Sequence, residues 1–192
     1  GFVWIGTEMG LNRFYPDTLT FERYFSDRKK SNGFSSDIPW CFYEDASGTL
    51  WIGTSGGGLN LWPIEDRRNE EANIQQFFSD KSALPSSNIY GIQGDAKGWI
   101  GVSHSKGLSR INPKTFETQH YGARDGLQAN EFTLGASFKS QSGAIYFGGI
   151  HGFNVIDPDF LAKDRIPPKL AISQIRVMNV RREFDTPYHD LN

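Results

Sequence analysis

The chain has one cysteine, two methionines and four histidines in 192 residues. A single thiol, Cys41, excludes an internal disulfide and any cysteine-based metal site. It sits in an apolar run, which predicts a buried thiol acting as a small hydrophobe. No apolar run is long enough to span a membrane as a helix, and no stretch has the form of a signal peptide. Net charge is only −2, so the composition gives no electrostatic footprint for nucleic acid. Catalytic patterns are also missing. Gly56-Gly57-Gly58 lacks the Gly-Lys-Ser/Thr ending of a phosphate loop. There is no His-Glu-x-x-His and no Gly-x-Ser-x-Gly, and Asp45-Ala46-Ser47-Gly48 is too short for a calcium loop. No metal and no cofactor is expected, and a hydrolase or lyase is disfavoured because carboxylates do not cluster.

Aromatic residues are plentiful at 14%, and there are 21 glycines. Both follow from a repeat. Trp51-Ile52-Gly53-Thr54 is preceded by Trp4-Ile5-Gly6-Thr7 and followed by Trp99-Ile100-Gly101-Val102 and Tyr146-Phe147-Gly148-Gly149. The interval is about 47 residues each time. A polar turn precedes three of the copies: Asp45 to Gly48, Asp95 to Gly98 and Ser140 to Gly143. A glycine and a short apolar strand follow each copy, closed by Pro16, Pro63, Pro113 or Pro158. Four short antiparallel strands in a unit of this length predict a propeller blade. The fold class is all-β: a partial β-propeller of about three and a half four-stranded antiparallel blades.

Side chains alternate along a strand, so Trp51 and Gly53 share one face and Ile52 and Thr54 the other. Neighbouring blades cover both faces, and all four residues are expected in the core. Trp51 is then a filler between blades, and Gly53 admits close approach of the next blade. Blade one is assigned strands at 2–7, 11–15 and 20–25. Blade two has 38–44, 49–54, 58–62 and 74–78, with Glu65 to Glu71 as an exposed charged loop. Blade three has 88–93, 99–102, 108–111 and 117–121. Its tryptophan follows the turn aspartate two positions sooner than in blade two, which predicts a short second strand and a tight or irregular hairpin. Blade four has 132–139, 144–148 and 153–156. The prolines of Arg165 to Lys169 mark a linker, and Leu170 to Val180 reads as one more strand. The division is therefore blades over 1–160, then 161–192 as linker plus either the outer strand of the last blade or the first strand of another domain. The chain starts inside a blade, so a piece of a longer propeller is expected.

These residues resemble the two-component regulator propeller repeat, whose pattern runs Asp-x-x-Gly-x-Leu-Trp-Ile-Gly-Thr, then Gly-Gly-Leu, then an aromatic near a proline. Asp45 to Pro63 carries it, including Gly57-Gly58-Leu59. Asp125-Gly126-Leu127, Asn130-Glu131-Phe132 and Tyr146-Phe147-Gly148-Gly149 are similar to the family's terminal blade, and Pro167-Pro168 to the linker leading to a Y_Y_Y domain. The resemblance implies the periplasmic, extracytoplasmic sensor of an inner-membrane signalling protein, with a histidine kinase or diguanylate cyclase as output. It implies a non-enzymatic module that recognises a carbohydrate or another small polar ligand. Its other partners would be further propeller blades and a Y_Y_Y domain, with the membrane reached only through other parts of the parent. The alternative is an interaction platform for receptor dimerisation without a small ligand. Family propellers generally have seven blades, so apolar faces on the end blades are expected to drive self-association.

Loops between blades and between second and third strands share one face, and function concentrates on loops held by a rigid scaffold. Candidates there are Glu8, His104, Arg124, Asp125, Asn130, Glu131 and His151. His104 and His151 read as equivalent positions near the central channel; the plain alternative is that loop histidines are solvated or cap a turn. Glu131 could instead bond backbone at a blade junction, and Asp125-Gly126 could be a turn device. Trp40 could line the channel and stack on a sugar, or simply pack in the core.

Overall fold

Short runs of β-branched and aromatic residues, punctuated by glycine turns, form antiparallel strands throughout. The computed structural model describes residues 1–26, 32–68, 73–77 and 84–156, and the backbone of 175–177 and 180–182. The chain divides into two compact units, Gly1–Leu161 and Ala162–Asn192.

In the first unit, β1 (Val3–Thr7), β2 (Gly10–Tyr15) and β3 (Thr20–Tyr24) form blade one. Blade two is β4 (Pro39–Glu44), β5 (Leu50–Thr54), β6 (Leu59–Trp62) and β7 (Gln75–Phe77). Blade three is β8 (Ile89–Gly94), β9 (Ile100–His104), β10 (Gly107–Ile111) and β11 (Thr118–Tyr121). Blade four is β12 (Phe132–Lys139), β13 (Ile145–Gly149) and β14 (Gly152–Ile156). Each is an antiparallel meander in chain order, and the first strands β4, β8 and β12 pack against one another at the inner edge. This is a partial propeller.

Blade contacts bury the core in three layers. Leu11, Phe34, Leu50, Ile52, Trp62 and Ile74 lie between blades one and two. Trp51, Leu59, Leu61, Ile89, Ile92, Ile100 and Val102 lie between two and three. Leu108, Phe132, Ile145 and Phe147 lie between three and four. Each fully buried aliphatic or aromatic side chain stabilises by about 1.5–3 kcal/mol. All five residues of β5 are buried, with Trp51 only 1% exposed. A Cβ on Gly53 would stand 2.5 Å from both the Cys41 sulfur and Ile89 of the next blade, so the bare backbone is what admits blade three.

The hairpins before the second strands share one construction. Asp45 N–H bonds Thr49 O at 3.0 Å, Asp95 N–H bonds Trp99 O at 2.8 Å and Ser140 N–H bonds Ala144 O at 2.9 Å. Gly48, Gly98 and Gly143 take φ of 79°, 82° and 91°, a left-handed turn that glycine adopts at least cost. Counted from these turns, Trp99 stands where blade two has Thr49, and Gly101 stands where blade two has Trp51. The blade-three tetrapeptide is thus displaced by two residues. The hairpin is regular and β9 is as long as β5, contrary to the expected short strand.

Two other expectations change. The charged insertion begins as a helix, α1 (Ile64–Arg68), not as an exposed loop. Its Arg67 is buried, bonds Glu44 at 2.9 Å and also donates to Gly48 O, clamping the helix to the turn. In the second unit, the strand expected over 170–180 is described only at 175–177 and 180, where β15 (Ile175–Val177) pairs antiparallel with β16 (Val180–Arg182); the rest of it lies outside the described residues. The Pro167-Pro168 linker lies outside the described residues.

Candidate functional site

The inner strands of blades two and three each carry a bulge. Pro39 pairs Thr54 and Cys41 pairs Gly53, leaving Trp40 as the extra residue; Ile89 pairs His104 and Gly91 pairs Ser103, leaving Tyr90. A bulge re-aims one side chain out of the ladder. The two extra residues meet, with ring centroids 5.6 Å apart and planes inclined by 35°, and both stay partly exposed. Trp40 is therefore not a core filler like Trp51. Tyr90 is its partner, and only the paired bulges could have pointed to it.

A second cluster forms around Gln128. Its side chain accepts from His151 N–H at 2.8 Å and donates to Glu131 O at 3.2 Å, while its N–H donates to Asn154 at 3.0 Å. These bonds tie the loop joining blades three and four to the β13–β14 turn. Asn130 accepts from Ala123 N–H at 2.7 Å, and Asp125 accepts from Gly122 N–H at 2.9 Å beside the 3-10 turn Ala123–Asp125. Arg124, Asn130, Glu131 and His151 are all exposed on these segments. The fold thus brings Glu131 and His151 to one polar patch, with Arg124 and Asn130 on the same loop.

His104 is not among them. It is fully buried, bonding Ser109 Oγ through Nε2 at 2.7 Å and accepting from Lys106 N–H at 3.2 Å. Ser109 Oγ also bonds His120 at 2.8 Å. Burial, reinforced by the His120 and Lys106 charges, lowers the His104 pKa to about 4, so it is neutral near pH 7. Strand register also separates it from His151. His104 pairs Gly107, as Gly149 pairs Gly152, while His151 lies in the turn between β13 and β14. The two histidines are not equivalent, and His104 has no surface to offer a ligand.

Other groups that could do chemistry are held in place by packing. Burial pushes the Cys41 thiol up to about 12, which leaves it protonated and inert. Asp45 accepts from Ser47 and Thr49 N–H at 2.9 and 3.0 Å and from Trp51 Nε1 at 2.7 Å. Partial burial works against ionisation there, but those hydrogen bonds prevail and hold the carboxyl below its usual range. Among the described residues, no group of three or more His, Cys, Asp or Glu side chains could hold a metal ion.

The geometry can be set beside known proteins. Residues 33–56 match the family model for the two-component regulator propeller. Histidine kinase P4 of Formosa agariphila is 26% identical over 92% of this chain, which spans 13% of that protein. The extracellular domain of a proposed hybrid two-component system from B. thetaiotaomicron matches over 97% of the chain with TM-score 0.75 and 28% identity, and the chain covers 24% of it. A second extracellular domain from that organism, of a proposed one-component system, matches over 82% with TM-score 0.68 and 24% identity, which shows the fold alone. The chain thus spans an eighth to a quarter of the relatives it matches. The regulator-propeller repeat is in register in blade two, where Asp45, Trp51 and Gly53 interlock; in blade three the same turn is kept but the wedge position is glycine. No helix among the described residues is long and apolar enough to cross a membrane.

Proposed function

We propose that this chain is part of the ligand-recognising, extracytoplasmic portion of a membrane-bound two-component-type sensor and does no chemistry itself. The observation that carries this is the match over 97% of the chain, at 28% identity, to the extracellular domain of such a system. Physical support comes from the paired Trp40 and Tyr90. Aromatic rings held rigidly on bulged strands suit the apolar C–H face of a sugar, while polar groups on nearby loops fix orientation. The loop patch of Arg124, Asn130, Glu131 and His151 supplies hydrogen-bonding groups of that kind. A bound carbohydrate or small polar molecule would act by favouring one arrangement of propeller and parent over another, which shifts a signalling equilibrium. The parent's own membrane segment would place the module in the periplasm.

The test is a thermal-shift screen with a panel of oligosaccharides, repeated on Trp40→Ala. A ligand specific to the folded state must raise Tm, by an amount that grows with its concentration. The expected result is a rise with one oligosaccharide class that Trp40→Ala abolishes. A flat response across the panel, or a rise that survives the substitution, would count against the aromatic pair as the site.

A second reading, a dimerisation platform, has one observation in its favour. Phe138 and Phe153 on blade four are 64% and 65% exposed, and flank Tyr146 at centroid distances of 6.4 and 6.1 Å. Tyr146 occupies the place of Trp51 but is only partly buried. Val3, Ile5 and Phe21 leave the far face of blade one similarly open. Such faces favour association of two copies. Light scattering of the isolated chain should show a dimer that Phe153→Glu converts to monomer; a monomer throughout would remove this reading.

A further inference from the structure

Register alone distinguishes the blade interfaces. On the second strand, the residue three past the turn glycine faces the next blade. Its cross-strand partner shares that face. The pairs are Trp4 with Arg13, Trp51 with Leu61, Gly101 with Arg110 and Tyr146 with Val155. Only blade three has glycine there. A Cβ on Gly101 would sit 3.4 Å from Phe147 of blade four, an ordinary contact, so the place is not closed by backbone as it is at Gly53. A cavity of about 170 Å³ opens at this point, between blades three and four.

Its lining includes the apolar Leu108, Leu127, Ile145, Phe147 and Ile156 and the ion pair of Arg110 and Asp95. Arg110 is 8% exposed. Its Nη2 bonds Asp95 at 3.0 Å, and its guanidinium lies 4.3 Å from the centroid of the Trp99 ring. The displaced tryptophan thus covers the arginine instead of filling the gap. Arg110 Nε is buried and has no hydrogen-bond partner. Asp95 already balances the arginine's charge, and Asp125 also lines the cavity, so an anion would add negative charge to a site that holds enough.

We propose that the cleft between blades three and four binds a small neutral ring compound bearing one hydroxyl or carbonyl oxygen. The ring fills the volume that the indole fills one blade earlier, and the oxygen accepts from Arg110. Apolar cavities of about 150 Å³ hold a benzene ring, so the size fits. This site is separate from the aromatic pair at the inner edge, and its test does not depend on the sensor reading.

The experiment is an amide NMR titration of the 192-residue chain with benzyl alcohol, toluene and benzoate. Benzyl alcohol should move Gly101, Leu108, Leu127 and Ile145 together. It should bind about ten-fold more tightly than toluene, as expected for one hydrogen bond to a charged donor. Gly101→Leu, which fills the cleft, should abolish the shifts; Gly101→Val is the fallback if leucine prevents folding. Arg110→Met should reduce benzyl alcohol to toluene's affinity, and the wild-type ratio alone tests that role if the variant does not fold. The proposal is overturned if benzyl alcohol leaves those amides unmoved, or if the shifts persist in the filled variant. Equal binding of toluene overturns the part given to Arg110, and benzoate binding as tightly as benzyl alcohol overturns the neutral-ligand assignment.

Discussion

The interface between blades two and three and the interface between blades three and four use the same register, but they are filled differently. In the first, the Trp51 indole packs among Leu61, Ile92 and Ile100, and its N–H is tied to Asp45 at 2.7 Å. In the second, Gly101 leaves a cleft bounded by the Phe147 ring, and Asp95 holds Arg110 at 3.0 Å where its counterpart holds the indole. One turn aspartate thus serves two ends. It locks a wedge in one blade and a buried guanidinium in the next. A repeat keeps its hydrogen-bonded frame while the residue on the frame decides whether the wedge place holds an indole or is left without a side chain.

The largest expected effect removes the indole wedge. Trp51→Ala should cost about 3–5 kcal/mol, from lost burial plus the cavity left behind, measured by urea unfolding. A cost below about 1 kcal/mol would show that the indole does not hold blades two and three together.

Next is pH. Val102 lies in the two–three layer, and His104 shares its face of β9. Its pKa is depressed in the folded chain from 6.5 to about 4. The unfolded chain therefore binds the proton more readily. Its contribution is fully present above pH about 6.5 and is lost as pH falls toward about 4, by about 3 kcal/mol. Stability measured over this window should fall less in His104→Gln than in the wild type. Identical pH curves would mean that the histidine is not buried in neutral form.

The comparison sharpens further with two matched substitutions. Gly53→Ala places a methyl against Cys41 and Ile89 and should destabilise by about 1–3 kcal/mol. Gly101→Ala, smallest in effect, meets only an ordinary contact and should stabilise by about 0.4–1 kcal/mol by restricting the unfolded chain. Opposite signs by thermal unfolding are expected for the same letter of the same tetrapeptide; equal signs would undo the distinction between the two interfaces.

The tetrapeptides made the architecture legible, because tryptophan and glycine two apart on a strand already specify a face that is filled and then approached. The strands, the turns and the burial of Trp51 follow from that. The letters of the repeat are not its register. Trp99-Ile100-Gly101-Val102 matches by composition, but the hairpin counts from Asp95, and only its backbone bonds reveal that Trp99 has left the interface. His104 looked like a loop residue for the same reason; two more positions of ladder draw it inside β9. Arg67 was hidden in a charged run because its partners, Glu44 and Gly48, lie 23 and 19 residues away. At the inner edge, Trp40 could be named from the chain, whereas its contact with Tyr90 depends on two bulges that no local pattern announces.

Xenon binding tests the central contrast most directly, because the atom enters apolar cavities without needing a polar partner. Amide shifts recorded under xenon pressure should move around Gly101, Leu108 and Phe147 and leave those around Leu59, Ile89 and Ile92, in the fully packed part of the two–three layer, in place. Shifts of equal size at both sets of residues, or none at Gly101, would contradict an empty wedge place beside a filled one.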